Sequence, residues 1–298
     1  MKHSPPVALF VYNRINHTKQ TVEALQKNHG ACKTTLYVYS DGPKNNDDKA
    51  GVSAVRSYVK NISGFADVIL IEREQNLGLA NSLIKGISEV LGAKESIIVL
   101  EDDLVTSPYF LQFMKDALRY YERDERVAAI HGYTFPLKTT LPETFFMRHT
   151  GCWGWGTWRR GWDLFETDGQ SLLDQLQQLQ LTTSFDMNGA YPYTQMLRNQ
   201  VNGSVDSWAV RWHASTFIKD KLTLYPGTSL VKNIGHDGSG AHCTNSLLYD
   251  VNLTKSRVTV SSIPVCEDQN VTKQLEAYFR RGHSGMVRYW AWKLFGRG

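Results

Sequence analysis

The chain has 298 residues, 42% of them hydrophobic, and carries 33 Lys and Arg against 29 Asp and Glu, a net charge of +4. That is enough apolar residue to bury the core of one large α/β domain or two small ones, and it places the chain among soluble globular proteins. The charge is too small and scattered to mark a nucleic-acid binder, and the longest apolar runs, 7–12 and 97–100, fall far short of the roughly 20 residues that span a bilayer.

Cys32, Cys152, Cys243 and Cys266 are widely separated and form no Cys-x-x-Cys pair, so neither a zinc ribbon nor a redox motif is written here. Reduced thiols in a cytoplasm are expected. The opening residues, Met1 to Pro6, have too short an apolar run behind them for a secretory signal.

Pro5-Pro6 leads into a buried first strand over 7–12, followed by the loop Asn13 to Asn16 and a helix from Thr18 to Asn28 with Val22 and Leu25 inward. A second strand, 35–40, ends at the turn signature Asp41-Gly42-Pro43. The charged segment 45–61 places Val52, Val55 and Val59 near helical spacing, and 67–71 supplies a third strand. Asn76-Leu77-Gly78 then opens a helix whose inward face is Leu79, Leu83, Ile84, Ile87, Val90 and Leu91, closed by Gly92.

Ile97 to Leu100 suits a strand buried on both faces, and it runs without a turn residue into Glu101-Asp102-Asp103. Ser107 is placed to cap a helix with Pro108 at its first position and Tyr109, Phe110, Phe113, Met114, Ala117, Leu118 and Tyr121 on one face. Strand and helix alternate four times, which predicts a largely parallel sheet with right-handed crossovers. Beyond Arg126 the character changes. Val127 to Ile130 suits another strand, but 132–169 is loop-rich and aromatic, with four tryptophans among four glycines between Gly151 and Trp162. A Leu/Gln helix over 171–181, a helix or strand beginning at Val205, and a polar loop from Asn233 to His242 follow.

Three strand ends thus offer polar groups at one edge: Asn13 and Arg14, Asp41, and Asp102 with Asp103. Open α/β sheets bind ligands at that edge, and hard divalent cations choose carboxylate oxygen. A nucleotide diphosphate suits the set, with a carboxylate accepting a base N–H, an arginine near base or phosphate, and a metal bridging the phosphates. The competing reading is plainer: the three acids solvate a loop and favour a helix start, and Asp41 serves its turn. No Gly-x-Gly-x-x-Gly and no Walker lysine loop is present, which argues against dinucleotide oxidoreductases and P-loop enzymes.

In their order and spacing, Val7 to Arg14, Tyr39-Ser40-Asp41-Gly42, Asn76-Leu77-Gly78-Leu79 and Val99 to Leu104 resemble a GT-A nucleotide-sugar-dependent glycosyltransferase. The acidic segment through Phe110 is most similar to the Glu-Asp-Asp-Leu segment of the N-acetylglucosaminyltransferase I branch. The likeness covers residues 5–130 and continues beyond them as motifs. It implies an α/β, GT-A Rossmann-like fold: a mostly parallel sheet flanked by helices, with a loop-rich acceptor half. The domain would span 1–265, divided into a nucleotide-sugar half (1–130) and an acceptor half (131–265), with a basic aromatic tail over 266–298.

Residue by residue, the resemblance implies that Asp103 binds a Mn2+ or Mg2+ holding the donor's diphosphate, and that Asp102 approaches the donor sugar or ribose. Asp41 would accept the base N–H, while Arg14 and the Val11 and Tyr12 backbone line the nucleoside pocket. Asn13, Asn76, Gly78 and Glu101 complete the donor-binding set. A general base sits on a Trp-rich segment in the relatives. Asp206 before Trp208 matches it best, although Ser207 stands where the relatives carry a second acid.

A late histidine often reaches the metal or diphosphate in such enzymes, and His242 is favoured over His236; the alternative is a glycine-rich turn with solvated histidines. Trp153 and Trp155 are the expected acceptor contacts, against the alternative of an aromatic core cluster. Past Glu276 there is no acid, and Arg280, Arg281, Arg288, Lys293 and Arg297 alternate with aromatics, which suits either an anionic membrane surface or a packed terminal helix.

The expected protein is therefore a cytoplasmic, metal-dependent, inverting hexosyl- or N-acetylhexosaminyltransferase of polysaccharide biosynthesis. It would use a UDP-sugar and a glycan or lipid-linked acceptor, with peripheral contact at the inner face of the membrane and no nucleic acid. Two rivals stand beside it: a sugar-nucleotide pyrophosphorylase, for which the glycine-rich loop is missing, and a non-catalytic carbohydrate-binding protein on the same sheet.

Overall fold

The computed structural model describes residues 4–237 and 247–295, with 283–295 as backbone only. The first half is a run of strand–helix units: β1 (Val7–Val11), α1 (Ile15–Gln26), β2 (Thr35–Ser40), α2 (Asp48–Val59), β3 (Asp67–Glu72), α3 (Leu79–Ala93) and β4 (Ser96–Glu101). These four strands pair in parallel in the order β3-β2-β1-β4. The chain thus leaves β1 on one side and returns on the other, making the β1/β4 boundary the switch point where such sheets bind ligands.

After β4 come β5 (Leu104–Thr106), α4 (Phe110–Tyr120), β6 (Val127–His131), β7 (Thr144–Met147) and β8 (Trp155–Trp158). The chain goes on through α5 (Arg159–Trp162), α6 (Gly169–Gln178), α7 (Thr182–Phe185), α8 (Tyr193–Val201), α9 (Trp208–Ile218), β9 (Leu222–Pro226), β10 (Val231–Asn233) and α10 (Gln269–Phe295). β8 lies antiparallel between β4 and β6, β9 extends the sheet in parallel with β6, and β7 closes it antiparallel to β9. The result is one eight-stranded, mostly parallel sheet flanked by helices, a GT-A Rossmann-like fold. Because β8 comes from the second half of the chain and β4 from the first, the two halves share a continuous sheet.

Alternation along the strands sorts the core into two layers. Val7, Leu9, Ile98 and Leu100 face α1, α2 and α4, whereas Ala8, Phe10, Ile97, Val99 and Trp155 face α3 and α9. Ile97 to Leu100 is fully buried, as a strand covered on both faces requires. A third cluster gathers Leu172, Leu176, Phe185, Val210, Val271, Leu275 and Phe279, so α10 is docked by its first turns.

Two local readings are corrected, and one left open is settled. Ser107 is not the residue that caps α4, which begins at Phe110 after Tyr109: Leu104 to Thr106 pairs antiparallel with β10, and the Ser107 hydroxyl accepts from Tyr109 N at 3.3 Å while donating to Thr254 O at 2.8 Å. The segment expected as an aromatic loop contains the central strand β8. The stretch from Val205 resolves as helix, with Ser207 as N-cap accepting from Val210 N at 3.4 Å.

Candidate active site

The C-terminal edge of the sheet brings together most of the polar residues expected there. Arg14 follows β1, and its guanidinium pairs with both acids after β4. Nη2 contacts Asp102 Oδ1 and lies 2.8 Å from Asp103 Oδ2, while Nε donates to Asp102 Oδ2 at 3.4 Å. The third nitrogen, Nη1, is buried without a hydrogen-bond partner among the described residues. Both acids are buried, and Thr21 on α1 donates to the Asp102 carbonyl at 2.7 Å, fixing the turn that carries them.

Burial pushes the Asp102 carboxyl up to about 6 against the opposing pull of Arg14, and burial with the neighbouring Asp103 and Asp102 pushes Glu101 up to about 8. Burial opposes the charge on Arg14, but the two aspartates more than offset it and raise its pKa. One arginine therefore leaves the acidic run under-compensated. That is the charge pattern a hard divalent cation would relieve, with Asp103 and Asp102 as its oxygen donors. Among the described residues no group of three His, Cys, Asp or Glu forms a ready coordination shell.

Asp41 closes β2. Its carboxylate accepts from Gly42 N at 3.1 Å, from Leu77 N at 3.0 Å and from Gly78 N at 3.0 Å, and Asn76 Nδ2 donates to Gly42 O at 2.7 Å. Asp41, Asn76 and Gly78 thus form one unit, in which a ligand N–H would share an oxygen already holding the loop. Tyr12 and Asn13 are tied to a residue the sequence did not single out: Asp48, in the first turn of α2, accepts from the Tyr12 hydroxyl at 2.9 Å and from Asn13 Nδ2 at 2.7 Å. Arg56 was missed as well. It donates to the carbonyls of Ser40, Asp41 and Arg73 at 3.3, 3.2 and 2.7 Å, clamping the ends of β2 and β3.

Asp206 arrives from the far half of the chain on the residue before the α9 cap. It is exposed, 3.9 Å from Arg211 Nη2, and its Oδ2 lies 3.8 Å from where a Cβ on Gly78 would stand. Gly78 has φ +76°, a conformation L side chains rarely adopt, and its N–H is the one bound to Asp41. Asp206 and Asp41 are therefore neighbours across a single loop.

β10 pairs with β5 and carries the chain over the acids. Ile234 N donates to Asp103 O at 2.8 Å, and Gly235 passes so close that a Cβ there would fall 2.2 Å from Asp103 Oδ2. The next residue, His236, stacks on Tyr249 with centroids 5.3 Å apart and meets Trp153 edge-on at 5.4 Å. Its two ring nitrogens have no hydrogen-bond partner among the described residues. The favoured histidine, His242, lies outside the described residues; of the two weighed, His236 is the one described.

The two tryptophans separate. Trp153 is half-buried beside His236 and Tyr249. Trp155 is wholly buried on β8, stacked on Trp208 and packed against Trp162 and Trp212, so the acceptor contact expected of it is corrected to core packing. Gly154 between them has φ +65°, so the chain bends there and β8 begins only at Trp155, which parts two rings that an unbroken strand would have put on one face.

Among solved structures, the mannosyltransferase PcManGT from Pyrobaculum calidifontis, in complex with GDP-Man and Mn2+, is 13% identical over 72% of this chain and 74% of its own, with a TM-score of 0.40. S. aureus TarS is 13% identical over 52% of this chain, which spans 28% of TarS, with a TM-score of 0.36. Likenesses this distant carry no information on substrate or metal. A search of curated proteins finds none that matches. The family comparison is decisive: residues 7–166, more than half the chain and all of the β1–β4 edge, match glycosyl transferase family 2. The chain belongs to that family, and the acidic edge it builds between β1 and β4 is the candidate active site of a GT-A glycosyltransferase.

Proposed function

We propose that the chain moves one sugar from a nucleotide-sugar donor, UDP-activated in the first instance, to a glycan or lipid-linked acceptor by a single inverting displacement. One juxtaposition supports this reading: Arg14, Asp41 and Asp102–Asp103 share the switch-point edge, and Asp206 reaches the same edge from the other end of the sequence, against Gly78. The narrower likeness to the N-acetylglucosaminyltransferase I branch, and with it an N-acetylhexosamine donor, rests on the Glu-Asp-Asp-Leu segment.

An acceptor hydroxyl is a poor nucleophile until a base removes its proton. The exposed Asp206 carboxylate is open to an acceptor arriving from solvent, takes that proton as the oxygen attacks the anomeric carbon, and leaves the diphosphate to depart on the opposite face. Arg14 keeps the two aspartates turned into the site and has a buried nitrogen left for a phosphate or base oxygen. A Mn2+ or Mg2+ held by Asp103 and Asp102, with His236 within the same loop, would neutralise charge on the leaving diphosphate. Trp153 offers a ring face to the acceptor. The basic aromatic stretch past Gly282 supports peripheral contact with anionic lipid at a cytoplasmic membrane face.

Thermal-shift measurements with UDP and GDP, with and without Mn2+, test the donor half, because a ligand that binds the folded state alone raises apparent stability. Asp103→Ala is expected to lose the Mn2+-dependent part of the shift and to lose transfer; an unchanged shift would overturn the metal assignment. Asp206→Asn is expected to keep the nucleotide shift while transfer drops by about 10²–10⁴-fold, the usual worth of a positioned base.

A further inference from the structure

Away from the acidic edge, an open cavity of about 400 Å³ lies between the loop before α8 and the side of α10, lined by Asp186, Gly189, Ala190, Tyr191, Pro192 and Arg280. Its size falls at the small end of ligand pockets, which run from about 300 to 1,000 Å³. We propose that this cavity is an acceptor subsite for a neutral pyranose, held with its ring on Tyr191 and two of its hydroxyls between Asp186 and Arg280. The inference rests on the transferase reading above and adds to it a second sugar of the acceptor, set back from the one that receives the transfer.

Three observations carry it. The first is connection. From Asp103 the chain runs through Gly235 to His236, which stacks on Tyr249; Trp153 meets Tyr249 edge-on at 5.3 Å, and Tyr249 is hydrogen-bonded to Tyr191. An aromatic wall therefore links the acidic edge to the cavity, and flat apolar sugar faces lie well on such surfaces.

The second is the wall itself. Met187, Asn188 and Gly189 are consecutive residues with φ of 49°, 54° and 77°. Side chains rarely tolerate that conformation, and runs of it persist where the surroundings over-determine them, as at ligand clamps. Here Asn188 Nδ2 donates to the buried Glu276 at 2.7 Å, Arg280 donates to Asn188 O at 3.0 Å, and Asp186 Oδ1 accepts from Thr194 N at 2.6 Å.

The third is charge. Arg280 is paired with Glu276 at 3.4 Å and shares the cavity with Asp186, so the site carries no net positive charge for an anion. Asp186 Oδ2 has no partner among the described residues, and the Arg280 side chain is 52% exposed. A carboxylate oxygen and guanidinium N–H groups beside a tyrosine ring match vicinal hydroxyls, one donating and one accepting.

The test uses the full chain with cellotriose, maltotriose, chitotriose and mannotriose as probes in saturation-transfer NMR, and UDP and GDP with Mn2+ in thermal shift. At least one trisaccharide is expected to bind. Asp186→Asn, which keeps size and the Thr194 contact, and Arg280→Gln, which removes the guanidinium, are each expected to weaken that binding tenfold or more without changing the nucleotide shift. Tyr191→Phe keeps the ring and is expected to bind as the parent does, which separates loss of the subsite from loss of fold. Binding unchanged in both polar variants, or no trisaccharide bound by a chain that binds nucleotide, overturns the subsite. A chain that binds trisaccharide at this cavity and no nucleotide leaves the subsite standing and overturns the transferase reading.

Discussion

Arg14 decides how the acidic edge behaves before any donor arrives. It is the cation paired to both Asp102 and Asp103, and breaking a buried pair leaves charge uncompensated at a cost of about 3–5 kcal/mol. With Arg14 22% exposed, Arg14→Met is expected to cost toward the lower limit, about 3 kcal/mol, in urea denaturation. The pH dependence follows from Glu101 and Asp102, whose carboxyls sit near 8 and 6 when folded and lower when unfolded. The folded state binds their protons more tightly, so this part of the stability falls as pH rises from about 4 towards 8. Arg14→Met is expected to steepen that fall. The acids and Arg14 were legible because an apolar strand running straight into charge marks a functional edge. Asp48 and Arg56 were not, since each acts on a partner many residues away and carries no local signature.

At the level of elements, the four strand–helix units could be read from their periodicity, but β8 could not. Trp155-Gly156-Thr157-Trp158 shows neither alternation nor a β-branched run, and its place is dictated by the open edges of β4 and β6 rather than by its own residues. The loop from Asn76 to Gly78 is the element that ties Asp41 to Asp206. Gly78→Ala is expected to cost about 1–3 kcal/mol in urea denaturation, because φ +76° with ψ 160° is a backbone region open essentially to glycine alone, and to lower transfer by shifting the loop that holds Asp41.

The core of the second half of the chain holds a buried polar knot. Tyr225 hydroxyl donates to His149 O at 3.0 Å, His149 Nδ1 meets that hydroxyl at 2.8 Å, and Tyr193 hydroxyl meets Nε2 at 2.6 Å. Burial holds His149 down to about 4 and His131 to about 3, and the neighbouring His149 charge adds to the latter. The unfolded chain takes up these protons near 6.5, so the contribution is lost as pH falls through 6.5 towards 4. Glu101 and Asp102 act in the opposite sense, so the effect is best read in a Glu101→Gln/Asp102→Asn background. There, His149 alone is expected to remove about 2 kcal/mol between pH 7.5 and 5, measured by urea denaturation.

For the molecule as a whole, no described helix is long and apolar enough to cross a membrane, and the first turns of α10 are packed by Val271, Leu275 and Phe279. Truncation after Gly282 is therefore expected to leave folding intact and to abolish co-sedimentation with phosphatidylserine vesicles; undiminished binding would reject a lipid role for the tail. The insertion of β8 beside β4 has a further consequence during synthesis. The strand that bears the acids emerges from the ribosome with one flank bare, and it stays so until residues near 155 follow it out. An uncovered hydrophobic flank invites pairing with other nascent chains. Translation interrupted between the acidic run and the tryptophans would thus leave a sticky, half-built sheet, and chaperone dependence should peak for stalled chains of that length.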